Sequence, residues 1–287
     1  MRILFTLLAL GLGIASARAE PIAIIAAENF YGDLAMQIGG PDVTVTSILT
    51  NPDQDPHLFE ASASTARAIA AARVVILNGA DYDPWMEKLL SASKSPGREV
   101  IEAARLLHKK AGDNPHLWYD PATMPAVAKA LAATLVKLDP AHRADYEQRL
   151  SAFLASLQPL QAKIAAMRKQ YAGTPVTATE PVFGYMAAAL GLKMRNERFQ
   201  LAVQNDTEPS PSQIAAFQKD LKIHAVKVLL YNSQTEEELT KKMRELAQQA
   251  GIPVVGVSET APPGTKYQDW MLKQLNALDG ALGGKGS

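Results

Sequence analysis

The chain has 287 residues, 47% of them hydrophobic and 20% charged. That length exceeds one ordinary core and suits two lobes, and the composition is neither that of a disordered chain nor that of a coiled coil. Lys plus Arg equals Asp plus Glu at 29 each, which argues against a general nucleic-acid binder. The absence of cysteine excludes disulfides, cysteine-based zinc and iron–sulfur sites, cysteine nucleophiles and a lipid-modified cysteine.

The first residues, MRILFTLLALGLGIASARAE, place Arg2 ahead of an apolar run from Ile3 to Ala15, followed by the small-x-small triplet Ala17-Arg18-Ala19. This predicts a secretory signal peptide over 1–19, cut after Ala19. The run is shorter than the ~20 residues that a spanning helix needs. The expected product is an exported periplasmic protein with no membrane insertion and no lipid anchor. Removing Arg2 and Arg18 leaves 27 basic residues against 29 acidic ones.

Pro21 to Ala27 is apolar and Ile-rich, a candidate buried strand. Phe30 to Ile38 has helical spacing and stops at Gly39-Gly40. Val43 to Leu49 alternates β-branched residues as a second strand, and Ser62 to Ala72 is an Ala-rich helix. Arg73 to Asn78 is a continuous apolar run closed by Gly79, the pattern of a parallel strand covered on both faces. A helix over Trp85 to Ala92 and a strand over Glu99 to Glu102 complete an α/β lobe, bounded at 20–140.

From Ala122 to Tyr171 the sequence is nearly all helical, divided by Asp139-Pro140. The second part, Ala141 to Tyr171, predicts one helix of ~45 Å, bent or loosened at Pro159. Such a helix, assigned to 141–172, is long enough to join two lobes as a stiff spine. After Gly173 the alternation resumes, and 173–287 reads as a second α/β lobe. Its strands are expected at Pro175–Thr179, Val226–Tyr231 and Pro253–Val257, and its helices at Phe183–Ala189, Ser212–Leu221, Thr235–Ala250 and Tyr267–Leu282. The fold class is therefore α/β, with two lobes of mostly parallel sheet.

Of five histidines, two stand out. His57 in Asp55-Pro56-His57 and His116 in Asn114-Pro115-His116-Leu117-Trp118 each follow a proline, which places the imidazole on a defined loop. Loops at strand carboxyl ends are where open α/β sheets bind ligands. His108, His142 and His224 lack this context and read as surface or packed histidines, and Trp85 and Trp118 read as packing residues. Glu180 follows one apolar strand and Glu259 another. A negative charge there must be paired or bound, or it caps a helix. Two imidazoles with two carboxylates suit Zn²⁺, Mn²⁺ or Fe²⁺. Asp53, Asp55 and Asp120 lie beside the histidines; each either accepts an imidazole N–H or caps a turn.

The stretches AENFYGDLAMQIGG, NPDQDPHLFEAS, NPHLWYDP, TEPVFGYMAAALGL and TEPSPSQIAAF resemble the metal-binding substrate-binding proteins of ABC importers, the zinc and manganese cluster. They run in the family's order across essentially the whole mature chain. The resemblance implies two α/β lobes on a long rigid helix, with metal held in the cleft between them. It implies His57 and His116 as the first two ligands. It implies Glu180 as the third, a position held by His in many zinc binders and by Glu in manganese binders. The fourth is an Asp in the family, followed by a G-x-x-Y turn. Here Ser258-Glu259-Thr260 and then Gly264-Thr265-Lys266-Tyr267 match, so Glu259 brings the same charge on one more methylene.

Many zinc members carry a His- and Asp-rich loop before the second histidine motif, whereas His108-Lys109-Lys110-Ala111-Gly112-Asp113 is short and basic. The expected cargo is Zn²⁺ or Mn²⁺, with Fe²⁺ also admitted, and no organic cofactor. The expected partner is a cognate ABC permease, and the expected state is a monomer. A metal-storing chaperone, an adhesin-like surface protein and a metallohydrolase stay open as alternatives, although no HExxH or GxSxG occurs. N-terminal sequencing of exported protein should begin at Glu20; an intact Met1 would contradict the cleavage assignment.

Overall fold

The computed structural model describes residues 20–53, 55–235 and 237–284, apart from the side chain of His57. The signal segment and the last three residues lie outside that range. The first lobe runs β1 (Ile22–Glu28), α1 (Asn29–Gly39), β2 (Val43–Leu49), α2 (Ala63–Ala71), β3 (Val74–Leu77), α3 (Pro84–Ala92), β4 (Glu99–Glu102) and α4 (Ala103–Leu106). Its four strands are parallel in the order β2-β1-β3-β4. β3 is Val-Val-Ile-Leu and wholly buried, as a central strand covered on both faces must be. β2 is an edge strand and alternates Thr and Val.

Three helices follow: α5 (Thr123–Leu138), α6 (Arg143–Ser156) and α7 (Gln158–Tyr171). The single helix expected from Ala141 is thus two helices in series. A 3₁₀ turn occupies Pro140–His142, and the break falls at Leu157. Pro159 lies in the first turn of α7, where its missing N–H costs nothing. α6 packs on α1 and α5, and α7 packs on the last helix, so the pair still runs from one lobe to the other.

The second lobe contains β5 (Pro175–Ala178), α8 (Gly184–Ala189), β6 (Lys193–Arg195), α9 (Glu197–Gln204), α10 (Pro211–Lys222), β7 (Leu229–Asn232), α11 (Glu238–Gln249), β8 (Val254–Val257) and α12 (Tyr267–Leu282). Its parallel order, β6-β5-β7-β8, repeats that of the first sheet. β6 and α9 have no counterpart in the sequence reading. β6 is a three-residue edge strand, Lys-Met-Arg, too short and polar to show a period. Arg195 at its end makes a two-pronged ion pair with Asp220 of α10, at 2.7 and 2.8 Å.

One apolar cluster runs through both lobes, from Ile24 of β1 to Leu278 of α12. At its centre Phe30 of α1 lies 4.8 Å from Trp118 and stacks on Trp270 of α12 at 5.8 Å, ring centre to ring centre. Polar ties flank it: Asn29 exchanges two hydrogen bonds with the backbone of Ala261, at 2.8 and 3.1 Å, and Tyr267 donates to the Trp118 carbonyl at 2.7 Å. The two sheets therefore share one core. Trp270→Ala should lower the unfolding free energy by about 3–5 kcal/mol. In the wild type, fluorescence and far-UV circular dichroism should follow one coincident urea transition; two separated transitions would contradict a shared core.

Candidate metal centre

In both sheets the strand order reverses between the two central strands, and their carboxyl ends face the seam between lobes. β5 is followed by Thr179 and Glu180, and Pro181 then opens a 3₁₀ turn that prevents the strand from continuing. β8 is followed by Ser258 and Glu259. Both glutamates are buried, at 4% and 1% exposure. Between them stands Asn232, the last residue of β7 and itself buried. Its amide donates to Oε2 of Glu180 at 3.1 Å and to Oε1 of Glu259 at 2.5 Å. The Gln234 N–H donates to Asn232 Oδ1 at 3.1 Å, which turns the amide nitrogen toward the carboxylates. Gln234 also accepts the N–H groups of Glu259 and Thr260 at 2.6 and 2.7 Å, fixing the second carboxylate's backbone.

His116 comes from the other lobe, just before the 3₁₀ turn Leu117–Tyr119, and is fully buried. Asn114 orients it. The Asn114 amide nitrogen donates to the Pro181 carbonyl at 2.8 Å, which identifies the remaining atom as Oδ1. That oxygen lies 3.1 Å from the His116 backbone N–H and 2.7 Å from Nδ1. Nδ1 therefore carries a proton, and Nε2 is left with a lone pair. Nε2 has no hydrogen-bond partner and lies 3.5 Å from Oε2 of Glu259. The Tyr82 hydroxyl also reaches the Glu259 carboxylate, and the Nε2 lone pair of His116 is the group here that a proton or a metal cation would satisfy. Trp118 and Tyr82 meet the imidazole edge-on, with ring centres at 5.3 and 6.1 Å. They hold the ring and keep bulk water out.

A second buried acid pair lies beneath this loop. Asp83 accepts the N–H groups of Asn78 and Gly79 at 2.7 and 2.8 Å. Gly79 turns there with φ +74°, a conformation open to glycine. Burial pushes Asp83 up to about 6 despite those amides. Burial, and then the neighbouring Asp83, push Glu28 at the end of β1 well above the usual carboxylate range. Asn78 in turn donates to the Pro115 carbonyl at 2.8 Å and accepts from the Tyr31 hydroxyl at 2.9 Å. This network sets the height of the His116 loop.

His57 falls on the 3₁₀ turn Pro56–Leu58, and its side chain lies outside the described residues. The acids flagged beside the histidines do not serve His116: Asp120 accepts the Ala122 N–H at 2.9 Å and caps the turn into α5. Asp53 is exposed in a turn held by Asn51, and Asp55 heads the 3₁₀ turn that carries His57. The partner of His116 is Asn114, two residues upstream, where an Asx turn was the available signal. Asn232 was readable by the same logic as the glutamates, a polar residue closing an apolar strand. Among the described residues, no three His, Asp or Glu side chains gather closely enough to enclose a metal. An open cavity of about 470 Å³, bordered by Pro56, Tyr82, Asn114, Pro115 and Pro181, leads from solvent to the flank of the site.

Residues 24–281 match the family described as ZnuA, zinc-uptake complex component A, periplasmic. The iron ABC transporter substrate-binding lipoprotein MtsA of Streptococcus pyogenes serotype M1 is 22% identical over 291 residues, spanning 94% of this chain and 92% of its own. Among solved structures, the SBP FpvC from Pseudomonas aeruginosa in complex with Mn²⁺ has a TM-score of 0.76 at 23% identity, over 93% of this chain and 100% of that one. The periplasmic zinc-binding protein TroA from Treponema pallidum has a TM-score of 0.76 at 20% identity, over 92% and 99%. These structures share the architecture of two lobes with parallel sheets. The chain belongs to the ZnuA family of periplasmic metal-uptake components.

Proposed function

We propose that this protein is an extracytoplasmic solute-binding protein that captures a divalent transition metal between its lobes and hands it to the permease of an ABC importer. The observation that carries this reading is the buried Nε2 lone pair of His116, set by Asn114 and facing Glu259 across 3.5 Å. His116 and Glu259, with Glu180 beside them and His57 on the opposing loop, supply two nitrogens and two carboxylates. That set takes Zn²⁺, Mn²⁺ or Fe²⁺. Four protein ligands from two lobes close the coordination, as a carrier needs and a hydrolase avoids.

The protein acts as a carrier and not as an enzyme, as a monomer, and without nucleic acid. No helix among the described residues is long and apolar enough to cross a membrane, and the chain has no cysteine to carry a lipid. Release into the periplasm without an anchor is part of this proposal. Asn114→Ala leaves the His116 tautomer unset and should weaken metal binding about 10–100-fold with the fold intact.

Calorimetry and thermal melting of metal-stripped protein test the assignment. Zn²⁺ or Mn²⁺ should raise the wild-type melting temperature, because the ion binds only the folded chain. His57→Ala, His116→Ala, Glu180→Ala and Glu259→Ala should each abolish most of that rise. Tight binding by both histidine variants would overturn the function. Normal binding by Glu259→Ala alone would overturn only the fourth ligand.

A further inference from the structure

We propose that Tyr119 is a positioning residue for metal capture: through Ser258 its hydroxyl fixes the separation of His116 and Glu259 across the seam, given the reading above that these two residues hold the metal. Tyr119 ends the 3₁₀ turn that follows His116, and its N–H donates to the His116 carbonyl at 3.2 Å. The ring is fully buried and meets Phe183 edge-on, with ring centres 5.2 Å apart. Its hydroxyl lies 2.7 Å from the Ser258 carbonyl oxygen and 2.7 Å from Gln274 Oε1 on α12. The Ser258 N–H donates to that same Gln274 oxygen at 3.1 Å, and the Trp270 indole N–H donates to Ser258 Oγ at 3.1 Å. The single hydroxyl hydrogen thus lies between two oxygens that both bear on Ser258. Ser258 is gripped at its N–H, its carbonyl and its side chain, and the residue after it is Glu259.

These contacts close a frame. One side is the turn from His116 to Tyr119, and the next is the hydroxyl on Ser258. The third is the peptide into Glu259, whose N–H is held by Gln234 at 2.6 Å. The fourth is the 3.5 Å separation of His116 Nε2 from Glu259 Oε2. Two donors ~2.1 Å from a tetrahedral ion stand about 3.4 Å apart, so the frame holds this pair near the spacing the ion needs. A pair set at that spacing beforehand binds more tightly, because little ordering remains to be done. Glu259 need not be free for this. The Tyr82 hydroxyl and the Asn232 amide also reach its carboxylate and act on the end of the side chain, whereas Tyr119 acts on the backbone that carries it. On the other flank of His116, the Asn114 amide reaches the carbonyl of Pro181, the residue after Glu180. The His116 loop is thus tied on each side to the neighbour of a glutamate.

Mature, metal-stripped protein tests this with Zn²⁺, by chelator competition, and with Co²⁺, whose visible spectrum reports coordination geometry. Tyr119→Phe keeps the ring and removes the hydroxyl. Zn²⁺ affinity should fall about 10-fold or more, the scale on which supporting contacts act, and the Co²⁺ bands should shift. Tyr267→Phe is the comparison. It removes another buried hydroxyl bond, to the Trp118 carbonyl at 2.7 Å, that does not end beside a glutamate. It should lower the metal-free melting temperature yet keep wild-type affinity and spectrum. An unchanged affinity or an unchanged Co²⁺ spectrum in Tyr119→Phe, or equal losses in the two variants, would overturn the proposal. If Tyr119→Phe gives no cooperative melt, Gln274→Met, which takes the acceptor from the Ser258 N–H, decides by the same two readouts. Wild-type affinity in His116→Ala and Glu259→Ala would overturn the ligand reading and the proposal with it. Loss in those two variants beside an unchanged Tyr119→Phe would overturn the proposal alone.

Discussion

The burial of Glu180 and Glu259, which share the Asn232 amide at the seam between lobes, is the constraint that the surrounding structure answers. Removing an ionised carboxylate from water costs several kcal/mol unless hydrogen bonds or a cation compensate. Asn232 compensates in part, by giving one amide to both groups. Gln234 compensates further by fixing the backbone from which Glu259 projects. His116 adds a lone pair where a positive donor would have neutralised the site. In the reading proposed above, a divalent cation completes the arrangement. Loading and stabilisation are then the same event.

The two sheets answer this constraint in parallel ways. Extending the β1–β3 register by two residues places Glu28 opposite Asn78, and the same extension of β5–β7 places Glu180 opposite Asn232. Each lobe thus sets a glutamate and an asparagine at its switch point. In the first lobe burial, and then Asp83, raise the glutamate's pKa, and the asparagine holds the His116 loop through Pro115. In the second lobe the glutamate stands beside its asparagine at the centre itself. No sequence repeat announces this correspondence, because it resides in strand order and register and not in side-chain pattern.

Much of the architecture was legible because burial leaves a mark on composition. β1 and β3 are continuous apolar runs, and α5 carries a strong apolar face. Pro115 and Pro181 marked the loops of His116 and Glu180 because proline restricts the chain on either side of it. What could not be read was relational. Leu157 breaks the spine although nothing in its own chemistry disfavours a helix. β6 exists because β5 needs an edge partner, and its own three residues show no period. Asn114 and Asn232 are ordinary polar residues until the fold brings an imidazole and two carboxylates to them. Asp83 likewise shows nothing in its own sequence context of its burial on two backbone amides.

The stacking of Phe30 on Trp270 bears on how cargo leaves. In a receptor built as a jaw, the lobes swing apart on a hinge and the ligand is exposed all at once. Here such a swing would tear aromatic rings from one another and wet the centre of a shared core, at about 25 cal/mol for each Å² uncovered. If the reading proposed above holds, the lower-energy route would be local: the loop that carries His57 would yield while the His116 loop, tied to the core through Trp118, stays closed. Unloading then resembles a latch lifted from outside more than a mouth opening. On that reading the residence time of the metal would be governed by whatever grips the His57 loop, which would give a docking permease control over the moment of release.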